Sequence, residues 1–170
     1  EQSIIHASKS NHDKLQFYVH DMRRNFRSNY YDYIFNFFTS FVYFSKELDN
    51  SLTLNAIKDG LKKDGIFVMD FMNANKVVSN LVREEEKTLD GIDFKIKRSF
   101  EKGTIIKSIQ FSDEGKDFHF EERVRGFNLS EMARLFRKSG LELLNVYGDY
   151  DLSPYNVFDS NRMILIAKKK

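Results

Sequence analysis

Residues 33–37 and 66–71 are apolar runs, and between them Leu54, Ile57 and Leu61 recur at helical spacing until Lys62-Lys63-Asp64-Gly65 interrupts the pattern. Strands buried on both faces read as continuous apolar stretches, and parallel neighbours need a long connection, so this order predicts a parallel crossover unit. A further run at 15–19 predicts an earlier strand, preceded by the end of a short helix over residues 2–10 and a polar linker over 8–14. The fold class that follows is an open α/β sheet with helices on its faces. Such sheets take their ligands just past the carboxyl ends of the strands, which directs attention to residues 21–23 and 36–43.

The pattern then changes. After a helical stripe of Val77, Val78, Leu81 and Val82 come three period-two segments at 92–100, 104–111 and 118–124, separated by Glu101-Lys102-Gly103 and Asp113-Glu114-Gly115. Glycine-containing turns between alternating segments predict hairpins, hence an antiparallel three-strand insertion at about 90–125. Its alternating Ile92, Phe94, Ile96, Phe118 and Phe120 imply one apolar face that needs a partner surface. Asn128-Leu129-Ser130-Glu131 has the form of a capping box ahead of the Leu129, Met132, Leu135, Phe136 stripe, and Gly140 closes that helix. Strands at 143–147 and 163–167 follow, joined by a loop holding the only proline, and so short a connection predicts an antiparallel pair. One domain spanning 1–170 accounts for the pattern.

Composition narrows the chemistry. The net charge of +2 owes three positive charges to Lys168-Lys169-Lys170, so no nucleic-acid partner is expected. The absence of cysteine excludes thiolate chemistry and agrees with a cytoplasmic location, and no apolar run is long enough to span a bilayer, so no membrane is expected. His6, His12, His20 and His119 share no ligand spacing, which predicts no metal site. Glu84-Glu85-Glu86 reads as a solvated helix end rather than a carboxylate pair for catalysis.

Phe17-Tyr18-Val19-His20-Asp21-Met22-Arg23, Tyr31-Asp32-Tyr33-Ile34-Phe35-Asn36, Leu61-Lys62-Lys63-Asp64-Gly65 and Ser139-Gly140-Leu141 stand in an order and spacing that resembles the second half of class I S-adenosylmethionine-dependent methyltransferases of the small-molecule type. The resemblance covers essentially the whole chain. It implies a Rossmann-like methyltransferase sheet missing its first strands, with S-adenosylmethionine as cofactor and a small-molecule acceptor. The family's glycine-rich loop and acidic ribose-binding residue have no counterpart here, so an N-terminally truncated, inactive portion of an intact enzyme is expected. In the family the missing strands lie between the third and fourth, which would leave 15–19 without its native neighbour.

The resemblance places the adenine edge at Asp21 and Met22, an acceptor beside a backbone donor, and the methionine end at Asn36 and Phe37. Tyr33 and Ile34 would be core. Aromatic faces favour a sulfonium or ammonium group, which makes Phe41 and Tyr43 candidates for the acceptor site, with Tyr150 near the last loop as a third. No residue declares itself a general base. Two rivals stand beside this reading: a non-enzymatic module that forms a homodimer through the insertion, and a nicotinamide-dependent oxidoreductase, against which the Asp21-Met22 pair argues.

Overall fold

The structure, a computed structural model, describes residues 2–42, 44 and 47–170. Helix α1 (Gln2–Ala7) runs into a single 3-10 turn. Strand β1 (Tyr31–Asn36) is followed by a 3-10 turn at Ser40–Val42, helix α2 (Glu47–Gly60) and the long strand β2 (Leu61–Met72). A short α3 (Ala74–Ser79) leads into four antiparallel strands, β3 (Glu84–Leu89), β4 (Ile92–Glu101), β5 (Thr104–Asp113) and β6 (Lys116–Arg125). The chain ends with α4 (Leu129–Lys138), β7 (Leu141–Tyr147) and β8 (Arg162–Lys169).

Two sheets result, in the orders β1-β2-β8-β7 and β3-β4-β5-β6. The expected crossover is present: β1 pairs parallel to β2 with α2 between them, whereas β7 and β8 are antiparallel. Helices α2 and α4 cover one face of the first sheet, where Leu54, Met132 and Phe136 meet Phe67, Met69 and Phe71. At the free edge the opposite face is open. Tyr33 and Phe35, alternating with the inward Ile34, are 61% and 54% exposed, so Tyr33 is not the core residue it was expected to be.

Local signals explain most boundaries. Asn128 Oδ1 accepts from Glu131 N–H at 2.9 Å and Glu131 Oε2 accepts from Asn128 N–H at 3.0 Å, which completes the capping box. The insertion turns place successive residues at positive φ, Lys102 (49°) with Gly103 (77°) and Glu114 (48°) with Gly115 (75°), the backbone that matches strand twist in a tight hairpin. Lys62-Lys63-Asp64-Gly65 does not end a helix. It forms an irregularity inside β2, where the pairing jumps from Tyr31 opposite Leu61 to Tyr33 opposite Ile66 and Asp64 takes φ of 60°.

Three further expectations need correction. Residues 15–19 form no strand; Leu15 makes one isolated bridge to His12, because no neighbouring strand among the described residues offers a ladder. The helical stripe after residue 74 stops at Ser79, leaving Leu81 and Val82 outside it. Glu84-Glu85-Glu86 is strand β3 rather than a helix end, so the insertion has four strands, with Glu84 and Glu85 paired to Lys97 and Arg98 across the β3–β4 ladder.

Candidate functional site

The carboxyl ends of β1 and β2 lie side by side, Asn36 opposite Met69, and the chain leaves β1 through an unusual turn. Phe38 and Thr39 both sit in the left-handed region, at φ of 59° and 60°. For a β-branched residue that is a genuine outlier, costing on the order of 1–3 kcal/mol, and it persists only where the surroundings over-determine it.

Asp70 supplies that determination. Its carboxylate, 1% exposed in β2, accepts from Phe38 N–H at 3.0 Å and Tyr150 O–H at 3.1 Å on Oδ2, and from Arg162 Nε at 2.7 Å on Oδ1. Its backbone carbonyl accepts from Thr39 N–H at 3.1 Å. Thr39 Oγ1 in turn accepts from Met72 N–H (3.1 Å) and an Arg162 terminal nitrogen (3.3 Å). A buried, ion-paired carboxylate therefore ties the turn after β1 to the first residue of β8. Desolvation pushes the Tyr150 hydroxyl above its ordinary value; Arg162 opposes this and the bond to Asp70 adds to it.

Asn73 performs the same service for the last loop. Its side-chain amide donates to the carbonyls of Val157 (3.0 Å) and Ser160 (2.9 Å), and its Oδ1 accepts from Tyr155 O–H at 3.2 Å while capping α3. The loop passes close to Gly148, where a Cβ would meet Ser160 Oγ and lie 2.8 Å from Ser160 Cβ.

Asn36, where β1 ends, is 7% exposed, and its Oδ1 has no hydrogen-bond partner. A buried acceptor left unpaired costs about 1–3 kcal/mol, so it marks a place where a donor is missing. Phe37 beside it is 47% exposed and stacks on Phe35 with ring centroids 5.4 Å apart. Phe41 is fully buried in the core against Phe127, which corrects its expected role in lining an acceptor site. Tyr43 lies outside the described residues. Tyr150 is exposed except for its bond to Asp70.

Asp21 and Met22 form a separate cluster. The Arg23 guanidinium and backbone N–H both bond to the Asp21 carboxylate, holding it down to about 2 from an ordinary 3.8. Arg23 also reaches Asp49 in the first turn of α2 at 3.0 Å and lies 5.1 Å over the Phe44 ring. The Met22 N–H makes no backbone hydrogen bond among the described residues. An acceptor and an adjacent open donor are thus present, although Asp21 is already engaged by Arg23.

Sequence reasoning missed Asp70 and Arg162. The available signal was a lone carboxylate within Ile66-Phe67-Val68-Met69-Asp70-Phe71, since a charge inside an apolar strand must find a partner.

A sheet with a parallel crossover and an antiparallel insertion ahead of its penultimate strand is the Rossmann-like fold of methyltransferases. Solved structures agree: an S-adenosylmethionine-dependent methyltransferase from Clostridium acetobutylicum superimposes with a TM-score of 0.76 at 17% identity, over 91% of this chain and 64% of that one. The CcbJ methyltransferase of Streptomyces caelestis gives 0.76 at 14% identity, over 91% and 68%. An S-adenosylmethionine-bound amino pentose methyltransferase from Micromonospora echinaspora gives 0.67 at 12%, over 100% and 71%. The chain thus spans less than two thirds of the first of these. No family model and no curated protein matches the sequence.

Proposed function

We propose that the whole protein transfers a methyl group from S-adenosylmethionine to a small-molecule acceptor, and that these 170 residues contribute the adenine edge and the acceptor side of the site. The observation that carries the reading is the unpaired, buried Asn36 Oδ1 beside the strained turn at Phe38 and Thr39, at a strand end of a methyltransferase fold. When bound, the cofactor supplies an already activated methyl group, so the protein's task is chiefly alignment.

In this reading Asp21 and Met22 engage the nucleobase edge. Asn36 Oδ1 accepts from the cofactor's methionine amine, and the open face of Phe37 favours the nearby positive charge. Tyr150, whose hydroxyl already donates to Asp70, acts as a hydrogen-bond donor. Asp70 touches no reacting atom and sets the position of the Phe38–Thr39 turn. Homodimerisation belongs to the same proposal: Phe120, 56% exposed on the free edge strand β6, supports a second copy there.

Calorimetry of the whole protein with S-adenosylhomocysteine tests the cofactor reading. Binding should weaken at least about tenfold in Asn36→Leu, the worth of one hydrogen bond to a charged group, and by a similar factor in Asp21→Ala. No binding by the unaltered protein, or an Asn36→Leu variant that binds equally well, refutes it.

A further inference from the structure

A cleft of about 520 Å³ opens where the insertion meets helices α2 and α4, and its walls include Asn50, Thr104, Arg123, Arg125, Phe127 and Arg134. Three arginines, two from β6 and one from α4, line one space. Glu47 and Glu131 share the wall, so the cleft is a mixed rather than a purely basic surface. Arg125 is held by Glu131 at 3.4 Å and the Lys102 carbonyl at 3.0 Å, with its guanidinium 5.6 Å over Phe127, and Arg123 bonds Glu121 at 2.7 Å. These contacts fix the direction of two arginines. Arg134, exposed on α4, makes no ion pair or side-chain hydrogen bond among the described residues.

Asn50 provides the second, independent sign. It is 4% exposed in α2, and its Oδ1 has no partner. A buried acceptor at the wall of a cleft otherwise rich in donors calls for a ligand that brings both an anion and a donor group.

Two residues of the cleft wall are linked by contacts to the segments that carry the site residues. Phe44 on its wall lies under Arg23, which holds Asp21, and Phe127 touches Phe41, two residues beyond Thr39.

We propose that this cleft binds the anionic part of the methyl acceptor. Arg123, Arg125 and Arg134 hold a phosphate or carboxylate group, and a hydroxyl or amine of the same molecule donates to Asn50 Oδ1. The planar fork of arginine suits either oxyanion. This assignment names the acceptor class and rests on the methyl-transfer reading, but the anion site can be tested apart from it.

The test is calorimetric titration of the whole protein with pyrophosphate and, separately, with succinate, each compared with S-adenosylhomocysteine. Binding of either anion is expected, pyrophosphate the tighter for a phosphorylated acceptor and succinate for a carboxylated one. Arg134→Ala, whose side chain supports nothing else, should weaken that anion about tenfold and leave the S-adenosylhomocysteine affinity unchanged, with partial recovery in Arg134→Lys. S-adenosylhomocysteine binding without anion binding, or an Arg134→Ala variant that binds the anion as well as the unaltered protein, overturns the cleft assignment. Anion binding without S-adenosylhomocysteine binding overturns methyl transfer and leaves an anion site whose occupant is not an acceptor.

Discussion

Replacing Asp70 with alanine should be the most damaging single change near the site. The carboxylate is 1% exposed and satisfies three donors, while its partner Arg162 is 23% exposed. Breaking a buried pair by removing one member costs about 3–5 kcal/mol, and the partial access of Arg162 to water moves the expectation to the lower end. The orphaned Phe38 N–H adds about 1 kcal/mol, whereas the exposed Tyr150 hydroxyl turns to solvent at little cost. A loss of about 3–4 kcal/mol follows, read by urea denaturation, together with faster hydrogen exchange at Phe38 and Thr39 than elsewhere in the sheet. Asp70→Asn, which keeps the shape and loses the charge, should cost about half as much. If Asp70→Ala costs under about 1 kcal/mol, or leaves the Phe38 and Thr39 amides as protected as before, the buried carboxylate does not hold the turn.

Three other measurements probe different parts of the molecule. Gly148→Ala forces a Cβ against Ser160 and should cost about 1–3 kcal/mol; the penalty should shrink in a Ser160→Gly background, and an unchanged penalty in that double-mutant cycle contradicts the close approach. Asn36→Leu removes an unsatisfied buried acceptor, so thermal denaturation should show equal or slightly higher stability, up to about 1 kcal/mol, and a clear loss would mean that Oδ1 is satisfied after all. Asp21 has a folded value near 2 against an ordinary 3.8, so its contribution to stability is complete above about pH 4 and fades as the pH falls through 2. Carbon-detected titration of the Asp21 carboxyl should place the midpoint near 2, and Arg23→Ala should return it toward the ordinary value.

What the sequence revealed was mostly local. The hairpin turns at Gly103 and Gly115 and the Asn128–Glu131 box each follow from residues within a turn of each other, and the parallel crossover follows from the order of three segments, each with its own local pattern. Strand β3 was hidden because Glu84-Glu85-Glu86 is exposed throughout and becomes a strand only by pairing with β4, where Lys97 and Arg98 meet its charges. Residues 15–19 failed in the opposite sense: the apolar run is real, but a strand is a property of two segments, and the second is not among the described residues. Asn36 and Phe37 were singled out through a family resemblance, whereas the Asp70–Arg162 pair joins positions 92 residues apart and only tertiary structure brings them together.

The placement of that pair explains how the domain can maintain a costly turn at its working edge. Phe38 and Thr39 protrude from β1, an edge strand whose neighbouring face is open, so the turn has little packing of its own. Two left-handed residues there cost on the order of 2–6 kcal/mol together, a large share of the stability of an ordinary domain. The restraint comes from β2 and β8, the two central strands, where Phe67, Met69, Phe71, Met163 and Leu165 are fully buried and the sheet yields least. Anchoring the turn through a charged side chain rather than apolar contact also fixes its direction, because the Asp70 carboxylate meets Phe38 N–H and Arg162 Nε on different oxygens. The strand end that carries Asn36 is thereby held in register with the rigid centre of the sheet, the preorganisation that the proposed alignment of a methyl group would need.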